Sequence, residues 1–237
     1  MSTTRERPII FGGEMVRAIL GGQKTQTRRA VKPQPSMERD CEPEGYNWVP
    51  MHKGRELSHH QCPYGQPGDR LWVRERWRVG AWDADEGAFA LDYCDGPRRQ
   101  WLKDPLDHDG TRFERLWIQC TDELREKGIP PGADGHYRWG PGKSPLRWRP
   151  SIHMPRWASR ILLEILSVRV ERLQDISGMD AKREGVSVPA HLPHDGADLD
   201  YARREYHSLW QSINGPGSWD ANPWVWVIEF KRAENKA

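Results

Sequence analysis

Apolar and polar positions follow two rhythms along this chain, and the changes of rhythm mark out its elements. Pro8-Ile-Ile-Phe11 opens as a short strand, and Met15, Val16, Ile19 and Leu20 then share one stripe at helical spacing, predicting a helix over 13–20. Gly21-Gly22 stops it, since glycine readily takes the left-handed conformation that closes a helix. A β-leaning run over 25–31 follows and ends at Pro33. Residues 70–78 alternate, with Leu71, Val73 and Trp77 on one face and Trp72, Arg74 and Arg76 on the other, and residues 88–93 supply a partner strand.

The C-terminal third is more regular. Residues 161–173 form a long β-run whose apolar positions are odd at 161, 163 and 165 but even at 168 and 170, a parity switch around Ser167 that predicts a β-bulge. Ser177 as N-cap, with Asp180 three residues on and Gly185 after the end, predicts a short helix up to Glu184. Leu199, Ala202, Tyr206, Leu209, Trp210 and Ile213 fall on one stripe of a helix over 198–213. The last strand, 224–231, is apolar on both faces at first and is therefore expected to be central.

Two stretches break the pattern. Residues 33–68 hold prolines at 33, 35, 43, 50, 63 and 67, and residues 94–145 are rich in glycine, proline and charge. Both are read as long irregular insertions, the second with one strand at 115–119. Scattered strands with a few short helices, and no βαβα alternation, predict α+β with a small curved sheet or barrel, in one domain over 1–237. No run approaches the roughly 18 apolar residues of a membrane helix. The first eight residues lack the apolar core of an export signal. With Cys41, Cys62, Cys94 and Cys120 far apart, reduced thiols and a cytoplasmic location are expected.

Net charge of +2 says little, but its distribution says more. Residues 1–35 carry seven bases against two acids, and residues 138–160 carry six bases and no acid. Segregated positive charge suits a phosphate-bearing partner.

Gly21-Gly-Gln-Lys-Thr-Gln-Thr-Arg-Arg29 resembles the signature of the ASCH family. Three further segments resemble that family in the same order: Gly68-Asp-Arg-Leu-Trp-Val73, Asp180-Ala-Lys-Arg-Glu-Gly185 and Trp224-Val-Trp-Val-Ile-Glu-Phe230. Cys62-Pro-Tyr-Gly65, Ser151-Ile-His-Met-Pro-Arg-Trp157 and Ser212-Ile-Asn-Gly-Pro-Gly-Ser-Trp219 resemble its larger phage and prophage branch. The resemblance implies a PUA-like β-barrel with a cleft beside the first helix that takes RNA or a modified nucleoside. One small bacterial branch hydrolyses the acetyl amide of acetylcytidine with a Lys, a Thr and a Glu, which by motif become Lys24, Thr27 and Glu184.

Amide hydrolysis needs a nucleophile, a proton acceptor and support for a developing oxyanion. Lysine can accept the proton only if burial or nearby cations lower its pKa, and Arg28 and Arg29 are close in sequence. Glu184 ends a predicted helix, where the macrodipole disfavours a carboxylate by roughly 0.3–1 kcal/mol, which favours an acid/base role. Lys24 and Thr27 differ by three, so they share a pocket only if Lys24 belongs to the turn and Thr27 to the strand. Arg28, Arg29, Arg74, Arg149, Arg156 and Trp148 complete the candidate ligand-binding set, with Trp139 and Trp157 as further stacking residues among bases. Cys41, His52, His59, His60 and Cys62 match no standard zinc spacing, and neither metal nor cofactor is expected. Besides RNA or nucleoside recognition, three readings stay open: an acetylcytidine amidohydrolase, a ribonuclease and a phage–host protein-interaction module.

Overall fold

The computed structural model describes residues 4–42, 45–52, 55, 56, 58, 61–96, 99–193 and 196–233; for strand residues 37–42, 45–50, 52, 55 and 56 it gives the backbone alone. The first elements in chain order are β1 (Glu6–Ile10), α1 (Gly13–Leu20), β2 (Gln26–Ala30), β3 (Ser36–Glu42), β4 (Gly45–His52), β5 (Arg55–Glu56) and β6 (Arg70–Arg74). Then come β7 (Trp77–Asp83), β8 (Ala88–Tyr93), β9 (Arg99–Leu102), α2 (Thr111–Glu126), β10 (Leu162–Arg172), α3 (Gly178–Arg183), α4 (Ala197–Asn214) and β11 (Trp224–Arg232). The class is mixed α+β. Two compact units divide the chain: Met1–Arg7, Ala18–Leu71 and Leu163–Ala237 form one, Pro8–Arg17 and Trp72–Leu162 the other.

In the first unit, β11 lies between β10 and β2, antiparallel to both, and Val225, Trp226, Val227 and Ile228 are all buried. Burial on both faces explains why this strand is apolar at successive positions. Val227 pairs with Arg28 and with Arg169, and Val225 with Ala30 and with Glu171, so these residues share a face. That face packs on α3 and α4 through Ala181, Ala202, Tyr206 and Trp210. The parity switch in β10 is a bulge between Ile165 and Ser167, which turns Leu166 out to 47% exposure. Ser177 caps α3 by accepting from Asp180 N, 3.0 Å. Gly178 permits close approach of α4, because a Cβ there would lie 2.5 Å from both Leu199 Cβ and Leu199 O. On α4, Ile213 is 54% exposed and leaves the predicted stripe.

Three expectations change here. The five-stranded sheet has the open order β1-β6-β10-β11-β2, so among the described residues it does not close into a barrel. Residues 36–42, 45–52 and 55–56 are not irregular: as β3, β4 and β5 they form an antiparallel three-stranded sheet. Its ladder is a backbone pairing, and the charged sequence Ser36-Met-Glu-Arg-Asp-Cys-Glu42 shows no apolar alternation to announce it. In the second unit, residues 115–119 are helical, lying within α2. Phe113, Leu116, Cys120 and Leu124 follow one another at steps of three and four and meet one apolar cluster, which is a helical rhythm.

That cluster is the core of the second unit. β7 pairs with β8 and β8 with β9, and all six residues of β8 are buried. Trp77, Val79, Leu91, Tyr93 and Met154 join it, with Trp139 and Trp157 packed against its side. Among the described residues no helix is long and apolar enough to cross a membrane.

Candidate functional site

Lys24 is placed by the way the chain leaves α1. Gly22 takes φ +74°, and the N–H groups of Gln23 and Lys24 both donate to Ala18 O, at 2.8 and 3.0 Å. The chain then runs between two partners: Thr25 N donates to Arg183 O at 2.9 Å, and Thr25 O accepts from Phe230 N at 2.8 Å. Lys24 thereby faces Glu184 across an isolated antiparallel bridge, outside β2. Gly185, at φ +91°, makes this approach possible, since a Cβ there would lie 3.0 Å from the Cβ atoms of both Ala18 and Lys24.

The side chains meet in the same place. Lys24 Nζ donates to Glu184 Oε2 and to Glu184 O, each at 2.8 Å. Arg28 donates from NH1 to Glu184 Oε1 at 3.2 Å, so the carboxylate is shared between an ammonium and a guanidinium. The Lys24 and Glu184 side chains are only 1% and 3% exposed. Arg28 reaches further, to Glu171 through Nε at 3.0 Å with a second, short contact from NH2, and to Asp180 Oδ2 at 3.3 Å. Arg169 continues the chain of alternating charge, binding Glu171 at 3.1 Å, Asp180 at 3.3 Å and Glu229 at 2.6 Å. The strand residues of this network lie on one sheet face, because Gln26, Arg28, Arg169, Glu171 and Glu229 share parity across the register.

Burial pushes the Lys24 ammonium below its ordinary pKa; Glu184 opposes that and Arg29 and Arg28 reinforce it. Desolvation is the larger effect because burial removes the hydration that favours the charged ammonium. The Tyr206 phenol, on α4, is pushed well up by burial and by the Glu184 charge, with Arg28 and Arg29 pulling the other way. A buried ammonium held below its ordinary pKa and in contact with a carboxylate is an arrangement found at sites that handle protons.

Of the sequence-derived candidates, Lys24, Glu184 and Arg28 are brought together. Thr27 is not: it is buried in β2, but it pairs with Ile228 and so lies on the face opposite Arg28 and Val227. Arg29 pairs with Trp226 on that opposite face as well. Arg74, Trp148, Arg149 and Arg156 belong to the second unit. There Arg74 lies over the Trp72 ring at 4.7 Å, Arg78 covers Trp148 at 4.4 Å, and Arg149 sits 5.5 Å from the Trp77 ring; Arg156 is exposed. The side chains of Cys41, His52, His59 and His60 fall outside the described residues, and no cluster of metal-ligating side chains occurs among those described. Cys62 is buried, which pushes its thiol up. Sequence reasoning missed Glu171, Asp180, Arg169, Glu229 and Tyr206. Parity along β10 and β11 was the available signal for three of them, but alternating charges on a strand also describe a solvated face.

Comparison with known proteins leaves this geometry to speak for itself: no protein-family model, no curated protein and no solved structure matches the chain.

Proposed function

We propose that this chain is an ASCH-type protein that recognises RNA or a nucleoside, with Lys24, Glu184 and Arg28 at the centre of its site. One observation carries the reading: Lys24 Nζ lies 2.8 Å from Glu184 Oε2. That contact joins the Gly-Gly-Gln-Lys-Thr turn after the first helix to the Ala-Lys-Arg-Glu-Gly helix, 160 residues further on. These are the two motifs that the resemblance requires to meet.

A second reading, hydrolysis of the acetyl amide of acetylcytidine, is favoured by the lowered pKa of Lys24. In this chemistry water attacks the acyl carbon, and the proton it loses passes to the neutral Lys24 amine. The C–N bond then breaks, the leaving amine takes that proton, and acetic acid is released and loses its remaining proton to solvent as acetate. Thr27 faces away from Glu184, so water rather than its hydroxyl is the nucleophile in this scheme.

Purified protein is to be titrated with a labelled single-stranded RNA and with cytidine, and incubated with N4-acetylcytidine while acetate release is followed. The expected result is saturable binding of at least one ligand, weakened at least about tenfold in Glu184→Gln, and, if turnover occurs, a fall of about 10²–10⁴-fold in Lys24→Met. Absence of binding and turnover, or variants indistinguishable from wild type while still folded, contradicts the proposal. Cleavage of the RNA without metal would transfer the same site to the ribonuclease reading.

A further inference from the structure

The second unit holds a cavity of about 620 Å³ at the end of β7, lined by Trp82, Tyr137 and Trp139 together with Asp83 and Asp85. The volume is that of a small-molecule site. The three rings have centroids 5.7, 6.2 and 6.0 Å apart and planes inclined at 56°, 74° and 50°. No two are parallel, so they offer no slot for a flat base. The three rings meet at inclined angles along the cavity wall, and a ring face left open there attracts a compact cation.

Charge points the same way. Two guanidiniums line the cavity, but both already face carboxylates: Arg99 binds Asp92 at 3.0 Å, and Arg138 binds Asp134 at 2.8 Å. Asp83 and Asp85 form no ion pair among the described residues, so the uncommitted charge of the lining is negative. Neither guanidinium of the lining is left without a carboxylate for an anionic ligand to take.

The cavity wall is anchored. Arg99 donates from NH1 to Trp139 O and from NH2 to Gly140 O, both at 3.0 Å, while its Nε holds the fully buried Asp92. Gly80 makes room for that pair in the bulge of β7, since a Cβ there would lie 2.6 Å from Asp92 Oδ1 and 2.8 Å from Arg99 Nε. The loop carrying Tyr137 and Trp139 is thus tied to a buried ion pair, which preorganises the rings.

We infer that this cavity binds a quaternary ammonium group, as carried by a small organic cation of the choline type. Methylated nitrogen cannot donate a hydrogen bond, so the site need only offer aromatic faces and nearby carboxylates.

Titration calorimetry of the full chain with choline chloride tests the inference, with sodium chloride at equal ionic strength as blank and two comparison ligands. These are 3,3-dimethylbutan-1-ol, the uncharged isostere, and cytidine monophosphate. Choline is expected to bind saturably in the millimolar range or below, and the isostere at least about fivefold more weakly. Tyr137→Ala is expected to weaken choline by about five- to thirtyfold. Asp85→Asn leaves the rings intact and is expected to weaken it by about twofold, so a Tyr137 variant that fails to fold leaves the test standing. No saturable choline binding by folded wild type, equal affinity for the isostere, or binding of the nucleotide instead of choline overturns the inference.

Discussion

Glu184 divides its two oxygens between Lys24 and Arg28, and the two cations are not equivalent. Arg28 is bound by three carboxylates, Glu171, Asp180 and Glu184, whereas loss of Lys24 leaves Glu184 its bond to Arg28. Removing one partner of a buried pair leaves an uncompensated charge and costs about 3–5 kcal/mol. Arg28→Met should therefore destabilise by that amount, and Lys24→Met by distinctly less, because it also removes a desolvated ammonium. Urea unfolding at pH 7 gives the order, and the reverse order contradicts it. At this scale, the sequence revealed which residues to watch but not where they meet. No periodicity spans the 160 residues between Lys24 and Glu184, and only the motif resemblance paired them. Thr27 shows the converse: its alternation with Arg28 was readable, and it decided the face on which the hydroxyl lies.

Elements whose rhythm is carried by apolar side chains were legible, namely α1, α4, the bulged β10 and the central β11, and α3 was legible from its capping residues. The α3–α4 packing makes two predictions. Ser177→Ala removes the hydrogen bond to Asp180 N and should cost roughly 1 kcal/mol. Gly178→Ala drives a methyl against the backbone of Leu199 and should cost more, about 1–3 kcal/mol. Thermal or urea unfolding of both variants checks this, and equal stability of Gly178→Ala and wild type would show the helices are less tightly packed. The illegible elements fail for physical reasons. β3 is a strand of mostly charged residues with no apolar alternation, and α2 shows a four-residue apolar stripe among twelve polar or exposed positions of its 16.

Across the whole molecule, three of the six bases in segment 138–160 are met by acids within the second unit. Arg138 pairs with Asp134, Arg147 with Glu123, and Arg160 with Glu75 and Asp95. Charge counted along a sequence does not see acids that folding brings alongside. Folding also sets the alkaline limit of stability. Burial raises the thiols of Cys62, Cys94 and Cys120, the last from 9.0 to about 11, and raises the phenols of Tyr93 and Tyr206. Each group keeps its proton longer in the native state than in the unfolded one. Its contribution is complete below the unfolded pKa and is lost as pH rises through the folded value. Lys24, lowered by burial, works in the opposite direction between its folded pKa and 10.5. With five groups against one, stability should fall between pH 9 and 11, and urea unfolding across that range should show a declining midpoint.

The most direct measurement is a proton titration of Lys24 itself. In protein carrying ¹³C-labelled lysine, the Lys24 side-chain signal is assigned by its loss in Lys24→Arg and followed with pH, with and without added cytidine. The account predicts a midpoint clearly below the ordinary 10.5 of lysine and a displacement of the signal when the nucleoside is present. A Lys24 signal that titrates with the surface lysines and ignores the nucleoside contradicts it.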